Sequence, residues 1–217
     1  MKELLWGNPE TIEHLKKELH NGSVILAEGD TVLGLLVDIS EKGIAQLDSI
    51  KNRSKKPYLI LVGDSKKVLK FIDKDTNKTL QIEKLMNSCW PGPVTLIFKA
   101  KQGVAHQAIS ADGTIALRVP DHAGLLKLLT DFDALFSTSA NKSGQSVPMS
   151  IDQVDSDIMN AVACVVVNDV QNKFQSTMPS TIIDCTGQHL VLVREGAFDV
   201  ECLKKENFII LSKKDIK

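Results

Sequence analysis

The apolar residues of this chain come in short, β-branched runs set between helix-period patterns, and this arrangement constrains the fold more than any other feature. Val24 to Ala27, Val32 to Val37, Tyr58 to Val62, Val94 to Lys99, Thr114 to Val119, Ala134 to Thr138, Cys164 to Val167, Thr181 to Asp184 and Leu190 to Arg194 read as strands. Between them, Asn8-Pro9 followed by Ile12, Leu15 and Leu19 reads as a capped amphipathic helix closing at Asn21-Gly22. Ser40 opens a second helix carrying Ile44, Leu47 and Ile50. Helical patterns also cover Ser65 to Ile72, Asn77 to Ser88 and Leu125 to Phe132, and Trp90-Pro91-Gly92-Pro93 breaks the one over Asn77 to Ser88. Strands outnumber helices and the order is irregular, so the expected fold is α/β. A twisted mixed sheet flanked by helices fits better than a doubly wound parallel one.

At 217 residues the chain has length for one large domain or two small ones. No internal repeat or linker-like segment divides it, so a single domain over residues 1–217 is expected. The 26 Lys and Arg against 27 Asp and Glu leave a net charge of -1, which argues against a strongly basic nucleic-acid scaffold. No run approaches the ~18 uncharged residues that span a bilayer. Met1-Lys2-Glu3 opens nothing like a secretory signal. The four cysteines (Cys89, Cys164, Cys185 and Cys202) form no CxxC pair and suit free thiols in a reducing compartment. A cytoplasmic protein with no membrane partner is the expectation.

Arginine is scarce: only Arg53, Arg118 and Arg194 stand against 23 lysines. A guanidinium keeps its charge everywhere and presents a planar fork to carboxylate or phosphate. Arg118 and Arg194 end predicted strands, where α/β proteins commonly place binding groups. Arg53 sits in Lys51-Asn52-Arg53-Ser54-Lys55-Lys56-Pro57, a basic cluster that would suit a polyphosphate, although most charge runs are solvated faces. Ser137-Thr138-Ser139-Ala140-Asn141-Lys142-Ser143-Gly144 follows a strand, and Met178-Pro179-Ser180-Thr181 precedes one. Both supply small hydroxyl and amide groups that could meet phosphate or ribose, and both are equally apt as turns or caps.

Standard sites are missing. Gly29 to Gly34 has phosphate-loop glycine spacing, but Leu35-Leu36 replaces Lys-Ser/Thr. GxGxxG, HExxH and GxSxG do not occur. Ser139-Ala140-Asn141-Lys142 matches SxxK without separate SDN and KTG partners, and the five histidines show no ligand spacing. Asp112, Asp121 and Asp184 read as turn or structural groups.

In order along the chain, several segments resemble the YrdC-like family of threonylcarbamoyl-AMP synthases. They are Gly29-Asp30-Thr31-Val32-Leu33-Gly34-Leu35, Lys51-Asn52-Arg53 with Lys56-Pro57, Trp90-Pro91-Gly92-Pro93-Val94-Thr95-Leu96, and Ala116-Leu117-Arg118-Val119-Pro120-Asp121-His122. Thr138 to Gly144, Pro179-Ser180-Thr181-Ile182-Ile183-Asp184 and Val193-Arg194-Glu195-Gly196-Ala197 complete the set. The resemblance covers about residues 9–200 and matches the short, single-domain form. It implies a basic concave cavity in which L-threonine, bicarbonate and ATP yield threonylcarbamoyl-adenylate and pyrophosphate. A partner transferase complex would then modify tRNA next to the anticodon.

By motif match, the resemblance implies that Lys51, Arg53 and Lys56 face the triphosphate. Thr114, Ser139, Asn141 and Arg194 would complete ATP binding, and Thr31, Arg118 and Ser180 would hold threonine. The Mg²⁺ that accompanies ATP would be held by phosphates and water rather than by a protein cage. Four departures stand out: Glu28-Gly29 replaces the family's Pro-Thr, Leu33 its Tyr, Asn52 its Gly, and Glu195 its Pro. Those at 28, 29 and 33 flank the implied threonine pocket. Two other readings compete: a non-catalytic RNA- or ribosome-binding relative, and the carbamoyl-transfer domain of hydrogenase maturation proteins, whose zinc-finger CxxC motifs are missing here.

Overall fold

Local sequence chemistry sets the first elements. Asn8 caps helix α1 (Pro9–His20) by accepting from the Glu10 N–H, Pro9 sits in its first turn, and Thr11, Ile12, Leu15 and Leu19 form its buried stripe. Ser40 caps α2 (Glu41–Lys51) through the Gly43 N–H at 3.1 Å. That helix ends at Asn52, whose φ of 45° and ψ of 50° are left-handed. Asparagine is the residue other than glycine that adopts this conformation most readily, which accounts for Asn where the family pattern has Gly. The computed structural model describes residues 2–52, 57–73, 79–168 and 178–212, with backbone alone at 79 and 80.

Among the described residues, eleven strands form one mixed sheet. They are β1 (Lys2–Leu5), β2 (Ile25–Ala27), β3 (Gly34–Asp38), β4 (Leu59–Leu61), β5 (Val94–Lys99), β6 (Thr114–Arg118), β7 (Leu135–Ser139), β8 (Cys164–Val167), β9 (Thr181–Asp184), β10 (Leu190–Arg194) and β11 (Ile210–Ser212). Their spatial order is β1-β8-β2-β3-β7-β4-β6-β5-β9-β10-β11. Parallel pairs (β1 with β8, β4 with β6, β5 with β9) alternate with antiparallel ones such as β3 with β7 and β5 with β6. The remaining helices are α3 (Ser65–Val68), α4 (Thr79–Cys89), α5 (Ala123–Leu128), α6 (Ser156–Ala161) and α7 (Glu201–Lys205).

Strand alternation divides the interior into two cores. Leu26, Leu35, Val37, Ile60, Leu117 and Phe136 point to one face, where they pack with Ile44 and Leu47 of α2. Ile25, Ala27, Leu36, Leu61 and Leu135 point to the other, beneath Ile12 and Leu15 of α1 and Leu125 and Leu128 of α5. On this second face, Ala27, Leu36, Leu61 and Leu125 belong both to the core and to the wall of a concavity.

The mixed α/β architecture agrees with the sequence reading, and the differences lie in short elements. The helix expected over Ser65 to Ile72 stops at Val68, and the one expected over Leu125 to Phe132 runs Ala123–Leu128. β1 buries only Leu4, so an edge strand left no alternation to detect. Of the pattern over Asn77 to Ser88, residues 77 and 78 lie outside the described residues. Among the described residues no helix is long and apolar enough to cross a membrane.

Candidate functional site

The open part of the second face forms a cavity of about 440 Å³. Register determines which side chains floor it. Ala27 pairs with Gly34 and Gly34 with Ser139; Leu36 pairs with Ser137 and Ser137 with Leu59. Farther across, Leu61 pairs with Arg118, Thr95 with Ile182, and Ile182 with Arg194. All of these line the cavity, with Gly29, Asp30 and Thr31 from the β2–β3 connection and Pro179 and Ser180 ahead of β9. Thus Thr31, Arg118, Ser139, Ser180 and Arg194, predicted from distant stretches of chain, share one hollow.

Arg118 is 4% exposed and Asp30 5%. The guanidinium donates from Nη2 to the Asp30 carboxylate and from Nη1 to Thr31 Oγ1 at 2.9 Å, while Nε has no partner among the described atoms. Burial pushes the Arg118 pKa down; Asp30 opposes that shift and Arg194 adds to it. Arg194 is exposed at the end of β10 and donates from Nε and Nη2 to the Ser180 carbonyl at 3.1 and 2.7 Å, and from Nη2 to Ser180 Oγ at 3.2 Å. Desolvation lowers its pKa too. Ser180 Oγ also meets Thr95 Oγ1 at 2.8 Å. Gly196 makes this corner geometrically possible: a Cβ there would lie 2.3 Å from the Pro179 carbonyl oxygen.

A second network borders the cavity through Ser139. Lys51 ends α2, is 2% exposed, and donates from Nζ to the carbonyls of Ser139 (2.6 Å) and Asn141 and to Asn141 Oδ1 (3.2 Å). Ser139 Oγ donates to Asn141 Oδ1, and Asn141 Nδ2 donates to the Gln145 carbonyl at 2.6 Å. Lys51 and Asn141 therefore shape the turn that presents Ser139, and neither forms part of the cavity lining.

Thr114 is placed apart. It starts β6 on the side that Ala116 and Arg118 share, but it does not line the cavity. Its hydroxyl bonds Asp112 Oδ1 at 2.7 Å and Ser110 Oγ at 2.5 Å. Hydrogen bonds from Ser110 and then Thr114 hold the Asp112 carboxyl below its ordinary pKa, in keeping with a turn lock. Arg53 and Lys56 lie outside the described residues. The basic character implied for the cavity rests, among described lining residues, on Arg118 and Arg194, and Asp30 offsets the first.

Sequence reasoning missed Asp30 and Thr95. Asp30 stood inside the quoted motif beside Thr31, but a lone acid in a Gly-Asp-Thr turn looks like a turn residue. Thr95 lay inside an apolar strand, where alternation alone marks it as facing the other way from Val94 and Leu96. Among the described residues, no group of His, Cys, Asp and Glu could hold a metal ion.

The Sua5/yciO/yrdC family, described as telomere recombination, matches residues 17–196. A Methanocaldococcus jannaschii protein named provisionally as a threonylcarbamoyl-AMP synthase is 31% identical over 198 residues, covering 90% of each chain. The fold of P. abyssi Sua5, in a crystal structure with L-threonine, superimposes with a TM-score of 0.84 at 24% identity. It covers 97% of this chain, which spans 61% of that longer one. E. coli YciO superimposes with a TM-score of 0.75 at 21% identity, covering 92% of this chain and 97% of its own.

Proposed function

This chain belongs to the Sua5/yciO/yrdC family, and on that premise we propose that it is an L-threonylcarbamoyladenylate synthase, a nucleotidyltransferase. It would consume L-threonine, bicarbonate and ATP and release pyrophosphate. The observation that carries this reading is the convergence of Thr31, Arg118, Ser139, Ser180 and Arg194 on one cavity floor.

The chemistry proceeds in two steps. The threonine amine attacks bicarbonate, losing water to give a carbamate, and a carbamate oxygen then attacks the α-phosphorus of ATP as pyrophosphate leaves. Nothing in this sequence needs a covalent enzyme intermediate. The protein's task is to hold anions together and offset their charge. Arg118, Thr31 and Ser180 are suited to the amino acid. Arg194 and the Ser139 turn are suited to the nucleotide, with Arg53 and Lys56 assigned to the triphosphate by motif. Mg²⁺, arriving with ATP, would offset phosphate charge. The lining donors are hydroxyls and guanidinium groups, and the carboxylate of Asp30 is already engaged, so phosphate and water oxygens are its natural ligands. The adenylate would pass to a transferase complex that modifies tRNA next to the anticodon.

The test is incubation with ATP, bicarbonate and each amino acid in turn, with mass spectrometry of the adenylate and a pyrophosphate assay. Product requiring both L-threonine and bicarbonate is the expected result. Salt-sensitive RNA binding without ATP turnover would overturn it in favour of a binding protein.

A further inference from the structure

Asp30 is a buried ionisable group that the proposed chemistry leaves unused. One of its oxygens accepts from Arg118 Nη2 and the other from the Asp121 N–H at 2.8 Å. It thus grips both ends of the segment Arg118 to Asp121, where β6 leaves the sheet. Its neighbour Thr31 takes the other terminal nitrogen of the same guanidinium. Two consecutive residues therefore fix Arg118 in one orientation, and a carboxylate matches its charge. Arg194 has no such match: its bonds among the described residues go to the Ser180 carbonyl and hydroxyl.

We infer that Asp30 is a positioning residue with two separable effects on the amino-acid subsite. It aims the Arg118 guanidinium, and it lowers the positive charge of that wall so that the charge left for anions is centred on Arg194. Resting on the function proposed above, this makes Arg118 a geometric reader of the amino acid and not an attractor of polyphosphate. An unpaired Arg118 would draw pyrophosphate or ATP phosphates into the amino-acid subsite, because Coulomb attraction in a half-enclosed hollow is screened far less than in water.

Two substitutions separate aim from charge. Asp30→Asn removes the charge and turns one acceptor into a donor facing Arg118 or Asp121. Asp30→Glu keeps the charge and displaces it by a methylene. With Asp30→Asn, the KM for L-threonine should rise at least ~10-fold with kcat within ~3-fold, while inorganic pyrophosphate, followed by calorimetry, should bind several-fold more tightly. Asp30→Glu should raise the threonine KM comparably and leave pyrophosphate affinity unchanged. Melting temperatures are recorded in parallel, and if Asp30→Asn melts below the assay temperature, Asp30→Glu alone carries the test of aim.

The inference is overturned if the threonine KM is unchanged in both variants. It is also overturned if threonine and pyrophosphate affinities fall together with the melting temperature, as for a residue of structural value alone. Failure of the parent reading looks different. In that case the natural protein makes no adenylate, yet Asp30→Asn still tightens pyrophosphate binding, which supports the charge effect.

Discussion

Two polar networks, one bordering the cavity behind Ser139 and one lining it at Arg118, use basic side chains in different ways. In the Lys51 network, an ammonium with 2% exposure is held by the Ser139 and Asn141 carbonyls and the Asn141 side chain. Carbonyl dipoles solvate that charge. At the Arg118 wall, a guanidinium of 4% exposure is bonded to a carboxylate, which cancels its charge. The contrast is between a cation that organises backbone and a cation matched by a carboxylate. The Lys51 ammonium ties a hydroxyl-rich turn together, and the Arg118 wall keeps a rigid donor array of nearly neutral charge.

The largest effect should come from breaking the first network. Lys51→Met leaves two carbonyls without this donor, at about 1–3 kcal/mol for each buried group left unpaired, and loosens the turn that presents Ser139. Adenylate formation should fall on the order of 10³-fold, with a lower melting temperature by circular dichroism. Adding Asn141→Ala should cost little more, because both side chains act on one turn. Additive losses would mean that Lys51 works independently of Asn141.

Arg194, on β10 and beyond Arg118 in the sheet order, is a cation bonded only to Ser180 among the described residues. Lysine could supply its charge but not the paired donation from Nε and Nη2 to one carbonyl. Arg194→Lys should therefore lower kcat/KM by roughly 10²-fold, chiefly through nucleotide affinity. Full activity in that variant would show that charge suffices and geometry does not matter at this position. Ser180→Ala removes a hydroxyl linking Thr95 and Arg194 but leaves the carbonyl that Arg194 also uses. A loss of about 10-fold, ~1.4 kcal/mol, is expected in the threonine KM.

The sheet was legible because its strands carry apolar runs bounded by Gly, Pro and Asn, and those patterns survive without tertiary context. β1, which buries only Leu4, was not, since an edge strand needs no periodicity. The candidate site was legible as residue types and order. Scarce arginines and hydroxyl-rich turns pointed to Arg118, Arg194, Ser139 and Ser180, all of which line the cavity. What a residue spends its bonds on was not legible. Lys51 reads as a phosphate ligand by motif, and its bonds to the Ser139 and Asn141 carbonyls, some 90 residues away in sequence, are not visible in that motif. Arg118 reads as a strand-end group that would hold threonine, and its pairing with Asp30 across 88 positions is likewise not legible from spacing.

Thr114 offers the smallest effect and the sharpest check on how far the site extends along β6. It shares a side of the strand with Ala116 and Arg118, so motif order and alternation both place it near the nucleotide. Its hydroxyl is nevertheless committed to Asp112 and Ser110, and the cavity ends short of it. Thr114→Val keeps the side-chain shape and removes that hydroxyl. The KM for ATP should stay within about 2-fold while the protein loses about 1 kcal/mol of stability, the usual worth of one hydrogen bond in a turn. The same substitution should let the Asp112 carboxyl rise toward its ordinary value. That carboxyl is lowered in the folded chain, so its contribution is present above the unfolded pKa and lost as pH falls through the folded one. Thr114→Val should therefore flatten the acid side of the stability profile slightly. A tenfold rise in the ATP KM with an unchanged profile would instead extend the nucleotide site to the start of β6.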